Sequence, residues 1–166
     1  SNITLPVALE YVYDEAFSWC ESMSFCPLAP ENTKLKYIGH AAFYNAGLTY
    51  LYIPANVTKI GGMLTGGSKS DVTQISFMPA SLDRSGLIDG SWADLFISTK
   101  DMYAKERNKV TEIRISDSRT EIPDSPFYNY TGLVQVVNDG GSAYLNKVTS
   151  VGKAAFRRSE EHTSEL

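Results

Sequence analysis

The chain has little of what enzymes, metal sites and nucleic-acid binders are built from. Only two cysteines occur in 166 residues, and Cys20 and Cys26 lie six positions apart, a spacing that is neither CxxC nor half of a tetrahedral zinc set. They read as two buried thiols, with a Cys20–Cys26 disulfide left open for an exported protein. Histidine is as scarce. His40 and His162 are the two, and His162 falls in a polar tail, so neither an HExxH zinc helix nor a Ser-His-Asp relay is available. Lysine and arginine number 15 against 19 acidic residues, a net charge of -4. That is too few to displace counterions from a phosphate backbone, so nucleic acid is excluded as an expected partner. No run approaches the roughly 18 apolar residues of a membrane helix, and no membrane insertion is expected. The glycine pairs Gly61-Gly62, Gly66-Gly67 and Gly140-Gly141 fit neither GxGxxG nor GxxxxGK(S/T) and read as turns. Acidic neighbours such as Asp14 with Glu15, Glu121 with Asp124, or Asp139, have no setting that marks a glycosidase pair. No catalytic, cofactor-binding or metal-ligating residue is assigned, and the chain is expected not to be an enzyme.

What is present is repetition. Hydrophobic residues make up 43% of the chain and charged residues 20%, ordinary values for one folded domain. Residues 38–43 read IGHAAF, and residues 151–156 read VGKAAF. Short strand-like runs occur at Ile3 to Leu5, Cys26 to Leu28, Leu51 to Ile53, Ile75 to Phe77, Ile113 to Ile115 and Val136 to Asn138. Their starts lie 23, 25, 24, 38 and 23 residues apart. One period with a single longer interval is the signature of a solenoid carrying an insertion. The longer interval contains ISTKDMYAKERN at 97–108, expected as a solvated loop or short helix.

A second half-repeat follows each run. Proline (Pro6, Pro30, Pro54, Pro79) ends the strand because it cannot donate to a ladder. An apolar pair three apart comes next: Leu9 with Val12, Leu35 with Ile38, Val57 with Ile60. Then comes a box, Ala16-Phe17, Ala42-Phe43, Met63-Leu64, Pro126-Phe127 or Ala155-Phe156, whose small residue leaves room for the ring to point inward. Gly39, Gly61 and Gly152 are expected to permit a bend that a Cβ would oppose. Such a unit buries too little apolar surface to offset the entropy of fixing its backbone, so no copy folds alone and neighbours must stack.

The runs ITLPVALEYVYDEAFSWC, LKYIGHAAFYNAGLTYLYIPANVTKIGG and VTSVGKAAF resemble the BspA-like, or Treponema pallidum type, leucine-rich repeat. Leu48 to Asn56 also fits the LxxLxLxxN pattern of leucine-rich repeats. Met63-Leu64 departs from Ala-Phe, and only Cys20 keeps the cysteine that closes the box. The resemblance implies a leucine-rich-repeat solenoid of the right-handed α/β horseshoe class, mainly parallel β with short helical turns. About six degenerate coils would span 1–157, with the insertion near 97–108. Members of the family are mostly exported or surface-attached in anaerobic bacteria and some parasitic protists, and are associated with adhesion to host extracellular matrix and with interspecies contact. An extracellular or cell-surface location is implied with them. The opening SNITLP is not a Met-led basic and apolar leader, so a mature chain or a fragment is expected. The closing RSEEHTSEL, 158–166, resembles one reading frame of a common sequencing adaptor and is expected to be non-native.

Strand side chains alternate, so the residues flanking the middle apolar position should face outward on the concave sheet. Those pairs are Asn2 and Thr4, Phe25 and Pro27, Tyr50 and Tyr52, Gln74 and Ser76, Glu112 and Arg114, Gln135 and Val137. Phe25, Tyr50, Tyr52, Gln74, Ser76, Glu112, Arg114 and Gln135 are the partner-binding candidates, because large stiff aromatics on a solvated sheet favour contact. The expectation is a monomeric, non-catalytic module that binds a partner protein or a glycan. The alternative is a structural spacer that presents another domain and has no ligand. Three sequons, at Asn2, Asn56 and Asn129, read as chance occurrences, since Asn56 should instead face inward and bond backbone groups between coils.

Overall fold

A computed structural model of the chain describes residues 3–89, 91–98 and 104–159. Among these residues nine short strands follow one another: β1 (Tyr11–Val12), β2 (Tyr37–Ile38), β3 (Tyr50–Ile53), β4 (Lys59–Ile60), β5 (Gln74–Phe77), β6 (Glu112–Ile115), β7 (Glu121–Ile122), β8 (Gln135–Val137) and β9 (Ser150–Val151). They build two walls. The inner wall is β3-β5-β6-β8, and the outer wall is β1-β2-β4 followed by a separate pair, β7-β9. Every pairing is parallel, as a chain must be that returns to the same wall once per coil. The helical turns are 3-10 turns at Arg84–Gly86, Trp92–Asp94 and Ala104–Lys109. No α-helix occurs among the described residues, so the outer wall consists of two-residue strands and tight turns.

Four of the six expected inner strands form. Leu51, Ile53, Ile75, Phe77, Ile113, Ile115 and Val136 project into the core, as the alternating pattern requires. Ile3 to Leu5 and Cys26 to Leu28 do not become strands. Pro27 in the middle of the second run has no N–H for a ladder, although Thr49 still donates to the Ser24 carbonyl at 3.2 Å. Cys26 is buried there as a free thiol, as Cys20 is free, and desolvation pushes the Cys26 thiol up to about 11.

Five boxes close their coils with two left-handed residues four positions apart: Glu15 and Trp19, Ala41 and Asn45, Met63 and Gly67, Ser125 and Asn129, Ala154 and Arg158. Within a pair, alternate backbone N–H groups donate to the next coil. Glu15, Phe17 and Trp19 bond the His40, Ala42 and Tyr44 carbonyls at 2.8–2.9 Å, and Ala41, Phe43 and Asn45 repeat this onto Gly62, Leu64 and Gly66. That ladder corrects the third box. Met63 matches Ala41, so Leu64 takes the Ala42 place and Thr65, not Leu64, takes the place of Phe43. The rings stack between neighbouring coils, Phe17 on Phe43 at 5.4 Å, Phe96 on Phe127 at 5.8 Å and Phe127 on Phe156 at 5.5 Å. The glycines before the boxes serve close approach rather than a bend. A Cβ on Gly39 would lie 2.3 Å from the Asp14 nitrogen, and one on Gly152 would lie 2.4 Å from the Pro123 carbonyl carbon.

Among the described residues the outer-wall ladder breaks once. Along the outer wall Gly39 donates to Val12, Gly61 to Ile38 and Ile88 to Ile60, but the equivalent position in the next coil is Pro123, which has no donor. Two buried arginines bridge the break. Arg119 donates to the Pro79, Leu82 and Glu121 carbonyls at 3.0, 2.9 and 2.8 Å and lies over the Phe77 and Trp92 rings. Arg107, only 1% exposed, donates to the Ala93, Ile97 and Tyr128 carbonyls. The expectation of a solvated stretch at 97–108 is therefore corrected at Glu106 and Arg107, both buried; residues 99–103 lie outside the described residues. Of the tail expected to be non-native, Arg158 and Ser159 complete the last turn, with the Ser159 hydroxyl donating to the Phe127 carbonyl at 2.9 Å. Residues 160–166 lie outside the described residues.

Candidate interaction surface

The outward rows of the inner wall lie in register. Tyr50, Gln74, Glu112 and Gln135 are successive partners across the four strands, and Tyr52, Ser76, Arg114 and Val137 form the second row. Seven of the eight candidate residues therefore share one face. Phe25 lies outside any strand and is 55% exposed, and among the described residues no ring stacking joins it to Tyr50 or Tyr52. Asn2 lies outside the described residues.

Electrostatics divide this face into two parts. At the β3 end, Tyr50 and Tyr52 stand half-buried, and burial raises the pKa of both phenols above the ordinary tyrosine value. Across β5, β6 and β8 runs a connected polar network. Arg114 Nε donates to Glu112 at 2.9 Å, and the Gln135 amide donates to the other carboxylate oxygen. The Gln74 amide, turned so that its nitrogen meets Glu112 at 3.0 Å, accepts from Arg114 Nε at 3.3 Å and from the Ser76 hydroxyl at 3.2 Å. These bonds hold the side chains in one orientation, which lowers the entropy cost of presenting them to a partner.

Two positions expected to face outward, the candidate Ser76 and its row neighbour Val137, are less open than the alternation implies. Ser76 is 5% exposed and Val137 is 2% exposed. The chain after β8 turns back over this end of the sheet, with Asn138 N–H bonded to the Ser142 carbonyl at 2.7 Å. It places the Asp139 carbonyl 3.4 Å from Arg114 Nη1 and the Asp139 carboxylate 3.2 Å from the Asp117 N–H. The Asp139 carboxyl is raised by its burial and by the Asp117 charge beside it, and its own charge adds to the rise at Tyr52. The signal for this turn was the Gly140-Gly141 pair, but its direction over the sheet is tertiary and was not readable.

Sequence reasoning missed an exposed aromatic group on the outer wall. Tyr11, Tyr13 and Tyr37 have ring centroids 5.7–6.3 Å apart, with the Lys36 ammonium 5.3 Å above Tyr11. Period-2 alternation in YVY was the available signal. His40 is half-exposed in a turn, and its ring faces the Asp89 carboxylate. Asn56 bonds the Thr33 carbonyl of the preceding coil as expected, but from an exposed turn rather than from inside. A buried asparagine, Asn32, also reaches the preceding coil, its amide donating to the Pro6 carbonyl at 3.1 Å, but its place in the coil matches Pro54 rather than Asn56. No group of three or more His, Cys, Asp or Glu able to hold a metal occurs among the described residues. No helix among them is long and apolar enough to cross a membrane.

An inner parallel ladder, an outer wall of turns and short strands, and boxes whose rings stack between neighbouring coils define a leucine-rich-repeat solenoid. The model of the BspA type leucine rich repeat region matches residues 1–77 and 97–164 in six copies, and the chain belongs to that family. The unmatched stretch, 78–96, carries Leu87, the near edge of the break in the outer wall. A leucine-rich repeat protein from Bacteroides ovatus ATCC 8483, solved by crystallography, is similar with a TM-score of 0.59 and 20% identity. The match covers 95% of this chain and 34% of that protein's chain. That likeness is one of fold, and this chain spans about a third of the neighbour's length. No curated protein matches the sequence.

Proposed function

We propose that the chain is a non-catalytic interaction module of an exported or cell-surface protein, and that it binds a partner protein on its inner, concave sheet. The observation that carries this reading is the juxtaposition of Tyr50 and Tyr52 with the braced Gln74–Glu112–Arg114–Gln135 network. Tyrosine and arginine are the residues most enriched where interfaces concentrate their binding energy. A glycan ligand would use the same aromatic pair, but the fixed Arg114 and Glu112 charges favour a protein with complementary side chains. Family membership supports an interaction role, and the surface location rests on that membership alone. The test is binding to a panel of immobilised extracellular-matrix proteins, comparing the unaltered chain with the Tyr50→Ser/Tyr52→Ser double variant. Loss of about tenfold or more in affinity, the scale of two interface anchors, is expected. Full retention of binding, or no binding of any matrix protein by either chain, would favour a spacer.

A further inference from the structure

The break in the outer wall leaves a groove that the concave-face reading does not use. We propose that this groove, between Leu87 and the Glu121–Ser125 stretch, accepts an extended peptide parallel to β7, with a basic residue toward its N-terminal end and an acidic residue toward its C-terminal end. The backbone supplies the first reason. Everywhere else on the wall one coil's N–H meets the preceding coil's carbonyl, as in Gly61 to Ile38 at 2.8 Å and Gly152 to Ile122 at 2.6 Å. Here Pro123 has nothing to donate to the Leu87 carbonyl, and because the Thr120 and Ile122 carbonyls face β9, the Glu121 N–H between them faces the opposite edge, toward Leu87. Edges with such groups are templates for an added strand. A peptide seated between them would donate to Leu87 and accept from Glu121. The Glu121 carbonyl is already taken by Arg119, which limits the peptide to that pattern.

Space and charge supply the second and third reasons. The groove has a volume of about 740 Å³, with Leu87, Trp92 and Ile122 among its lining residues. A second hollow of about 480 Å³ shares Ala93, Asp124 and Ser125 with it and continues to Tyr128 and Arg157, following the chain direction of the 121–128 stretch. Asp83, Glu121 and Asp124 line the first hollow against Arg84 alone, with Arg119 beneath the floor offsetting part of that charge. Lys153 and Arg157 line the far hollow. The charge therefore runs from acidic to basic along the direction that a parallel strand would take, which selects a peptide of the opposite order.

The test uses blocked peptides and the full chain, read by isothermal titration calorimetry. The probe is acetyl-Lys-Val-Thr-Val-Thr-Val-Glu-amide, beside its charge-swapped form with Glu first and Lys last, and a form N-methylated at alternate residues. Saturable binding of the first peptide below about 1 mM, about tenfold weaker binding of the swapped form, and no saturation by the N-methylated form are expected. Glu121→Lys and, independently, Arg157→Glu should each weaken the first peptide by about threefold or more. Tyr50→Ser/Tyr52→Ser should leave it unchanged, which separates this site from the concave one. Equal affinity for the two charge orders, equal affinity for the N-methylated form, or no saturation would overturn the proposal.

Discussion

The two halves of the molecule solve one problem in two ways. From residue 11 to residue 67 adjacent coils are joined backbone to backbone along the outer wall, each box passes three N–H groups to the next, and the inner wall contributes the single Thr49-to-Ser24 bond. From residue 74 to residue 137 the inner ladder continues unbroken from β5 to β6 to β8, while the outer wall parts at Pro123. There the joining is done by side chains, since Arg107 and Arg119 together bond six carbonyls. Continuity of one wall is thus enough to carry the coil across an irregular repeat, provided buried donors satisfy the carbonyls that the other wall leaves unpaired. The regular half draws its cohesion from the backbone, which any sequence supplies. The irregular half keeps that backbone joining on its inner wall and adds two arginines on its outer one.

Variants that attack each half should sharpen this contrast. The largest effect is expected from Arg107→Met, which leaves the Ala93, Ile97 and Tyr128 carbonyls without their buried donor. A loss of about 3 to 5 kcal/mol, or roughly 10 °C in thermal midpoint, should appear by calorimetry, and an unchanged midpoint would refute the bridging role. Phe43→Ala in the regular half should create a cavity costing about 3 to 5 kcal/mol at most, moderated by the adjoining Phe17 ring, which can lean into the space. Denaturant titration followed by tyrosine and tryptophan fluorescence would report it. Gly39→Ala, whose Cβ would meet the Asp14 nitrogen at 2.3 Å, should cost about 1 to 3 kcal/mol because backbone must shift. At the small end, Glu15→Gly relieves a residue at φ 57° and should raise stability by about 0.5 to 1 kcal/mol.

Much of the fold was legible because each coil repeats the same physical demand. The pattern LTYLYIPAN marked β3, and ISF and IRI marked the last three residues of β5 and β6 for the same reason: one face of each had to be buried. The box at Phe43 and its copy at Phe156 were readable from a small residue beside a ring. What could not be read was register between coils. Met63-Leu64 fits Ala-Phe by hydropathy, yet the hydrogen bonds put Thr65 opposite Phe43, and only the neighbour's backbone decides that. Arg107 read as a solvated charge because a single sequence does not show three carbonyls converging on it. The concave rows were legible from alternation, whereas the burial of Ser76 and Val137 depends on a turn that folds back from farther along the chain.

The central claim is that the inner wall stays paired where the outer wall opens. It is tested most directly by spin-label distances in a cysteine-free background, with one pair at Thr73 and Thr111 and another at Leu87 and Glu121. Thr111 N–H lies 2.8 Å from the Thr73 carbonyl, so the inner pair should give the strong dipolar broadening of neighbouring strands about 4.8 Å apart, despite a longer sequence separation than the outer pair. The outer pair should show clearly weaker coupling across the groove. Equal broadening for both pairs, or a weak inner coupling, would contradict the account.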